Sequence, residues 1–225
     1  MINSSEGSER MPSTSTAGRA RMSADERRDQ IAGAARELAL AEGLDAVTLR
    51  AVAARVGVAS GLVAHYIPSM DDLVADTFFD IVAGELEEVR ALLPDAAAPV
   101  RIGALLRTTL DPARRDVTLV WVQAWALGTR NAPLAERVRA AMDAWRALIA
   151  EEVSRGMAAG VIPAGDAEPL AWHLLAMIDG LGAHALVGWG PAIAPVAPVA
   201  PVAPVLRAAA GLLGIEAETL SPGSP

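Results

Sequence analysis

The chain has 225 residues, 52% of them apolar, which is ample for a buried core. Cysteine is absent, so disulfides, thiolate catalysis and thiolate metal sites are excluded; all 19 basic residues are arginine, so Schiff-base lysines and a P-loop lysine are excluded too. The net charge of −8 is unevenly spread: residues 19–66 carry seven arginines against six acids, and residues 67–225 carry eleven against nineteen. Because salt confines charge effects to roughly 8–10 Å, the near-neutral N-terminal part sets any attraction to phosphate, not the acidic total.

Residues 1–22 are rich in Ser, Thr, Gly and Arg and lack an apolar run, which predicts a disordered tail and not a signal peptide. A plain leader and a minor-groove arm built on Arg19 and Arg21 are both open readings. Ser23 and Glu26 are spaced as a capping box; Ile31, Ala35 and Leu38 stripe the helix that follows, and Gly43 ends it. Leu49, Val52, Ala53 and Val56 repeat at helical spacing until Gly57, where positive φ closes the helix and Val58 follows as the apolar residue past the cap. Leu62, Val63 and Tyr66 mark a third helix of about two turns, stopped near Ile67 because Pro68 pushes its predecessor out of the α region. A helix that short must be clamped by its neighbours while its other face meets solvent, and three helices in this order form the helix-turn-helix unit that sets a recognition helix into a DNA major groove.

Beyond Ser69 the segments lengthen. Ser69 and Asp72 repeat the cap spacing, and Val74, Phe78, Val82, Leu86, Val89 and Leu93 keep one face apolar up to Pro94. Helices are predicted from Pro99 to Thr109, from Pro112 to about Arg130 (striped by Val117, Trp121, Ala124 and Gly128), and from Pro133 to near Gly160, with Leu134, Val138, Met142, Trp145 and Ile149 inward. Leu170 to Trp189 is apolar on nearly every side. The carboxylate of Asp179, three glycines and no flanking basic cluster favour a helix buried in a dimer over a membrane span. Residues 194–205 are four copies of Ala-Pro-Val, unsuited to a helix or sheet interior because every third amide is missing. As polyproline II they would span about 37 Å, either as a bare linker or as a strap that seats the final helix, Leu206 to Leu213.

No nucleophile elbow, zincin, Walker or dinucleotide motif is present, so no enzyme is expected. The adjacent acids Asp71-Asp72, Glu87-Glu88 and Glu151-Glu152 diverge on helices and are read as solvated faces. His173 and His184 share a helix face but lie ~16 Å apart, too far for one ion; both are expected to be buried and hydrogen-bonded, with no metal and no cofactor. All five tryptophans fall in the C-terminal part. Trp121 and Trp125, four residues apart, can wall a cavity with Phe78, Met142, Trp145, Trp172 and Met177, and Asp143 or Asp179 beside them would suit a cationic guest; filling of an ordinary core is the other reading.

The stretch from Ile31 to Leu73 resembles the DNA-binding domain of the TetR family of one-component repressors, through Thr48, Val52-Ala53, Gly57-Val58, Gly61, His65-Tyr66, Ser69 and Leu73. From about Leu106 to Gly188 the sequence is similar to the C-terminal domain of the BetI-type branch, notably at Arg130 to Leu134, Trp145-Arg146, Gly156 to Gly160 and Asp179 to Leu181. It departs from the family at Ala59, Ala64, Ile67 and Met70, the last standing where a phosphate-contacting lysine is usual.

The resemblance implies an all-α fold in which residues 23–68 form the DNA-binding domain and residues 69–217 a regulatory and dimerisation domain, with the repeat at 191–205 as linker and a disordered tail at 218–225. It implies phosphate contacts from Thr48 and Tyr66, approach to the groove by Ser60, Gly61, Leu62 and His65, and Arg50 and Ser69 beside them. Thr48 also reads as an N-cap, Tyr66 as core and Arg50 as a plain surface charge. The expected partners are a palindromic operator, a small-molecule effector and a second copy paired along Leu170 to Val187 and the last helix, where Gly180, Gly182 and Ala183 allow close approach; the expected location is the cytoplasm. A helical ligand-binding protein without DNA affinity is the competing expectation, motivated by Ala64, Met70 and the weak local charge.

Overall fold

The structure, a computed structural model, describes residues 22–189 and 202–221; Arg19, Arg21 and most of the Ala-Pro-Val repeat lie outside the described residues. Helix α1, Ala24–Glu42, starts on the expected box: Ser23 Oγ accepts from Glu26 N at 3.1 Å, and Glu26 Oε2 accepts from Ser23 N at 2.6 Å. Gly43, at φ 98°, turns the chain into a short 3-10 segment, Leu44–Ala46. Helix α2, Leu49–Val56, begins on Thr48, whose Oγ1 accepts from Ala51 N at 3.2 Å. It ends at Gly57, φ 75° and ψ 37°, and Val58 N donates back to Ala53 O at 3.0 Å to close the cap. Helix α3, Ser60–Tyr66, follows, and α4, Met70–Leu92, opens with Ser69 Oγ accepting from Asp72 N at 3.1 Å.

The C-terminal part contains α5 (Ala98–Thr109), a 3-10 turn (Pro112–Arg114), α6 (Arg115–Gly128), α7 (Ala132–Ala158), α8 (Ala167–Leu186), α9 (Val202–Leu213) and a last 3-10 turn (Ala217–Leu220). Among the described residues there is no strand, and no helix is long and apolar enough to cross a membrane. Helix α7 is the axis: it packs on α4, α5, α6 and α8, and its buried stripe includes Leu134, Val138, Trp145, Ile149 and Val153.

Apolar burial forms two clusters. One joins Ile31, Leu38, Val52 and Val63 of the N-terminal helices to Phe78 and Val82 of α4, Val120 and Ala124 of α6, and Leu134 and Val138 of α7. The other joins Leu86 and Val89 to α5, the distal half of α7, α8 and α9. Trp121 packs against both. The apolar core therefore runs across the expected boundary at residues 68 and 69 without interruption.

Four expectations are corrected. Helix α9 begins inside the repeat, at Val202, and Pro204 sits in its first turn, where an amide has no intrahelical acceptor and its loss costs little. The tail expected at 218–225 is ordered through Ser221: Leu220 is fully buried, its carbonyl accepts from Arg107 Nη2 at 2.8 Å, and a side chain at Gly103 would collide with it. Glu152 is not solvated but 1% exposed, because Arg101 on α5 meets it with two bonds of 2.8 Å. His173 and His184 are exposed; His173 Nδ1 bonds Pro169 O at 2.6 Å, and His184 packs edge-on against Trp189.

Removing one partner of a buried pair leaves an uncompensated charge. Arg101→Met is therefore expected to cost about 3 kcal/mol in urea unfolding, at the low end of the usual range because Arg155 stays 3.7 Å from Glu152. Arg155→Met, on a side chain 46% exposed, should cost less than about 1 kcal/mol.

Candidate nucleic-acid interface and ligand cavity

Helix α3 is held by one deep anchor, Val63, which is fully buried against the first cluster, with α1 and α2 packed on it. Leu62 and His65, its neighbours on the far side, are exposed, as is Gly61. A side chain added at Gly61 would touch nothing within the chain, so its bare backbone is offered outward. Ser60 and Tyr66 are half-buried; the Tyr66 ring packs against the core and meets the His65 ring edge-on at 5.1 Å. Thr48 is exposed, and since its oxygen is the acceptor in the α2 cap, its hydroxyl proton is free for another partner. Ser69 is half-buried in the α4 cap.

Arg50 is exposed and unpaired among the described residues, whereas Arg55 is engaged by Glu37 at 3.1 Å and Glu42 at 3.9 Å. Met70 does not leave a gap in the face: it turns inward onto the first cluster. Ala59 gives α3 no side-chain cap, a deficit of about 1 kcal/mol that packing must offset.

Between α6, α7 and α8 lies a cavity of about 50 Å³, lined by Trp121, Trp125, Trp145, Met142, Asp179 and Glu85 with a few smaller residues. The expected Phe78 stands behind this wall, edge-on to Trp121 at 5.0 Å. Two expected members are misplaced. Trp172, two helical turns or ~10.5 Å before Asp179, is 59% exposed and lines a shallow outer groove with Asp143, while Met177 packs into the second cluster. Asp143 bonds Arg146 at 3.4 Å, outside the cavity.

The cavity's polar atoms are unusual. The indole N–H groups of Trp125 and Trp145 are buried and have no hydrogen-bond partner. Trp121 Nε1 donates to Glu85 Oε2 at 3.3 Å, and Arg114 lies 3.7 Å from the same carboxylate. Burial pushes the Glu85 carboxyl up, against the pull of Trp121 and Arg114, and pushes the Asp179 carboxyl up to about 6. Two carboxylates in a low-dielectric aromatic enclosure favour a cation, and three indole faces suit one that is organic. Sequence reasoning missed Glu85, although it falls within the apolar stripe of α4, seven residues after Phe78 and four before Val89.

The cavity helix also grips the N-terminal unit. Between Trp121 and Trp125, Gln123 Oε1 accepts from Leu44 N at 2.5 Å and its Nε2 donates to Asp45 Oδ1 at 2.9 Å. At the head of α7, Asn131 Nδ2 donates to Asp71 O at 3.2 Å in the first turn of α4.

An outward recognition helix tied by two helices to an aromatic cavity defines a one-component transcriptional regulator, with reader and sensor in one chain. A family model for bacterial regulatory proteins of the tetR family matches residues 31–77, and a model for the C-terminal domain of BetI-type transcriptional repressors matches residues 100–197. The HTH-type transcriptional regulator BetI of Rhizobium meliloti (strain 1021) is 31% identical over 158 residues, 69% of this chain and 75% of the relative. BetI 2 of Chromohalobacter salexigens is 31% identical over 146 residues, 62% and 67% of the two chains. Among solved structures, a regulator from Saccharomonospora viridis in complex with choline is 30% identical, with a TM-score of 0.65 over 73% of this chain and 87% of that one. The chain belongs to the TetR family of transcriptional regulators and is a repressor of the BetI type.

The raised Asp179 carboxyl makes a stability prediction. The folded chain keeps this proton to about pH 6, the unfolded chain only to about 4, so stability falls as pH rises between those values and stays lower above them. Asp179→Asn is expected to be more stable than the parent by about 3 kcal/mol at pH 7.5 and by less than about 1 kcal/mol at pH 4, as read by thermal unfolding at both pH values.

Proposed function

We propose that this regulator is a cytoplasmic homodimer that holds a palindromic operator and releases it when an organic cation of the trimethylammonium type enters the cavity. The observation that carries the reading is the meeting of Trp121, Trp125 and Trp145 with the half-buried carboxyl groups of Asp179 and Glu85. Indole faces attract the cationic head, the carboxylates balance its charge, and the unpartnered indole N–H groups of Trp125 and Trp145 suit an acceptor oxygen such as the hydroxyl of choline. The choline complex of the Saccharomonospora viridis relative supports this assignment.

On the DNA side, Thr48 and Tyr66 would donate to phosphates, Ser60, Leu62 and His65 would face base edges beside the open backbone of Gly61, and the free charge of Arg50 would supply phosphate attraction. Ser69 acts by fixing the start of α4. Pairing of two copies along α8 and α9, where Trp172, Val187, Trp189 and Leu212 are exposed apolar residues, would set two recognition helices roughly 34–36 Å apart on successive major grooves. A ligand against α6 would move Gln123, change the angle of the head, and so favour the state with the wrong spacing.

Choline is expected to quench tryptophan fluorescence, with binding that strengthens as pH rises through about 6 and Asp179 ionises, and Trp121→Ala should weaken it at least tenfold. A flat titration would remove the cation reading. In gel shifts with the chain's own upstream region, choline should release the protein from DNA. Gln123→Ala should keep the quench and lose the release. No sequence preference and no salt dependence would instead favour a ligand-binding protein without DNA affinity, a reading to which the uncapped α3 lends support.

A further inference from the structure

The space does not end at the cation chamber. A second cavity, of about 70 Å³, lies between the α5–α6 connection and the C-terminal half of α8, and Thr109, Thr118 and Gly182 line both. At this throat the threonine hydroxyls are spent on their own helices: Thr109 Oγ1 donates to Leu105 O at 2.9 Å, and Thr118 Oγ1 to Arg114 O at 3.0 Å. Their methyl groups remain to face the passage. A side chain begun at Gly182 would meet Thr118 Cγ2 at 3.2 Å, so glycine keeps the throat open.

The polar groups of the second chamber, Asp111 and Arg115, are exposed and bond backbone atoms. Asp111 Oδ1 accepts from Ala113 N at 2.9 Å, and the Arg115 guanidinium donates to Leu186 O at 2.9 Å and Ala185 O at 3.4 Å at the end of α8. What is left is the apolar surface of Leu110, Pro112, Leu181, Ala185 and Leu186. A largely apolar chamber opening off a cage for a cation matches one kind of molecule: a cationic head with an aliphatic extension.

We infer that the effector is a trimethylammonium compound bearing an aliphatic chain, its head among Trp121, Trp125 and Trp145 and its chain passing Thr109, Thr118 and Gly182 into the annex beside Leu110, Leu181 and Leu186. The inference rests on the cation reading of the cavity and adds the chemistry of the tail. Burial of aliphatic carbon then sets the ranking of ligands, and a bare head is the weakest of the series.

The test is a titration of the full chain's tryptophan fluorescence with tetramethylammonium, butyltrimethylammonium and hexyltrimethylammonium. Each methylene that enters the annex should tighten Kd about fourfold until the chamber is full. Equal Kd values across the series would overturn the inference and leave the cation reading standing. Binding by none of the three would overturn both. Leu186→Asn, which places an amide in the annex, should shrink the hexyl-to-methyl ratio of Kd values at least fivefold; an unchanged ratio would overturn the proposed route. Should that variant fail to fold by circular dichroism, Ala185→Phe, which fills the same chamber, reads the same ratio, and the series on the parent chain decides in any case.

Discussion

The carboxamide of Gln123 is the contact that ties the cavity helix to the N-terminal unit. It spans from the cavity helix to the connection between α1 and α2, satisfying the amide of Leu44 with one atom and the carboxylate of Asp45 with the other. The reach is possible because Gly43 has no side chain: a Cβ there would collide with the carboxamide, and the φ of 98° would strain any other residue. One glycine thus ends a helix and clears the seat for its clamp. Since Trp121 and Trp125 flank Gln123 on α6, the aromatic wall of the cavity and the hook that holds the reading unit lie on one stretch of helix.

The cavity is held in tension by its own charges. Burial strips hydration from both Asp179 and Glu85; Glu85 recovers part of it from the Trp121 N–H and Arg114, whereas Asp179 has no ion pair among the described residues. In the empty chain this is a cost to folding; with a cationic guest the same burial strengthens every attraction across the chamber. Selectivity and instability therefore share one cause, which is the position of two acids on faces that helical periodicity would assign to hydrophobic residues.

The N-terminal unit was legible nearly to the residue because its signals are local. Ser23, Thr48, Gly57 and Pro68 each dictate backbone within a turn of their own position, so the bounds of α1 and α2 and the end of α3 could be read directly. The cavity was only partly legible. Trp121, Trp125, Met142, Trp145 and Asp179 meet there as helical spacing suggests, but Trp172 lies one packing layer too far out, a displacement set by where α8 crosses α7. Glu85 and Glu152 look like surface acids in sequence and are buried by partners 36 and 51 residues away, Trp121 and Arg101. Leu220 was hidden for a similar reason: a short polar tail gives no sign that Gly103 has left it a notch.

The first hydrophobic cluster bears on how such proteins diversify. Ile31, Val52 and Val63 are sealed by Val120, Ala124, Leu134 and Val138, residues that belong to the sensing half. Cut out at Ser69, the reading unit would bare that seam to water; joined to a foreign sensor, it would need a matching surface on two alien helices. Moving the reading unit onto another chain therefore requires that the residues of α6 and α7 that seal it, or equivalents of the same shape, travel with it.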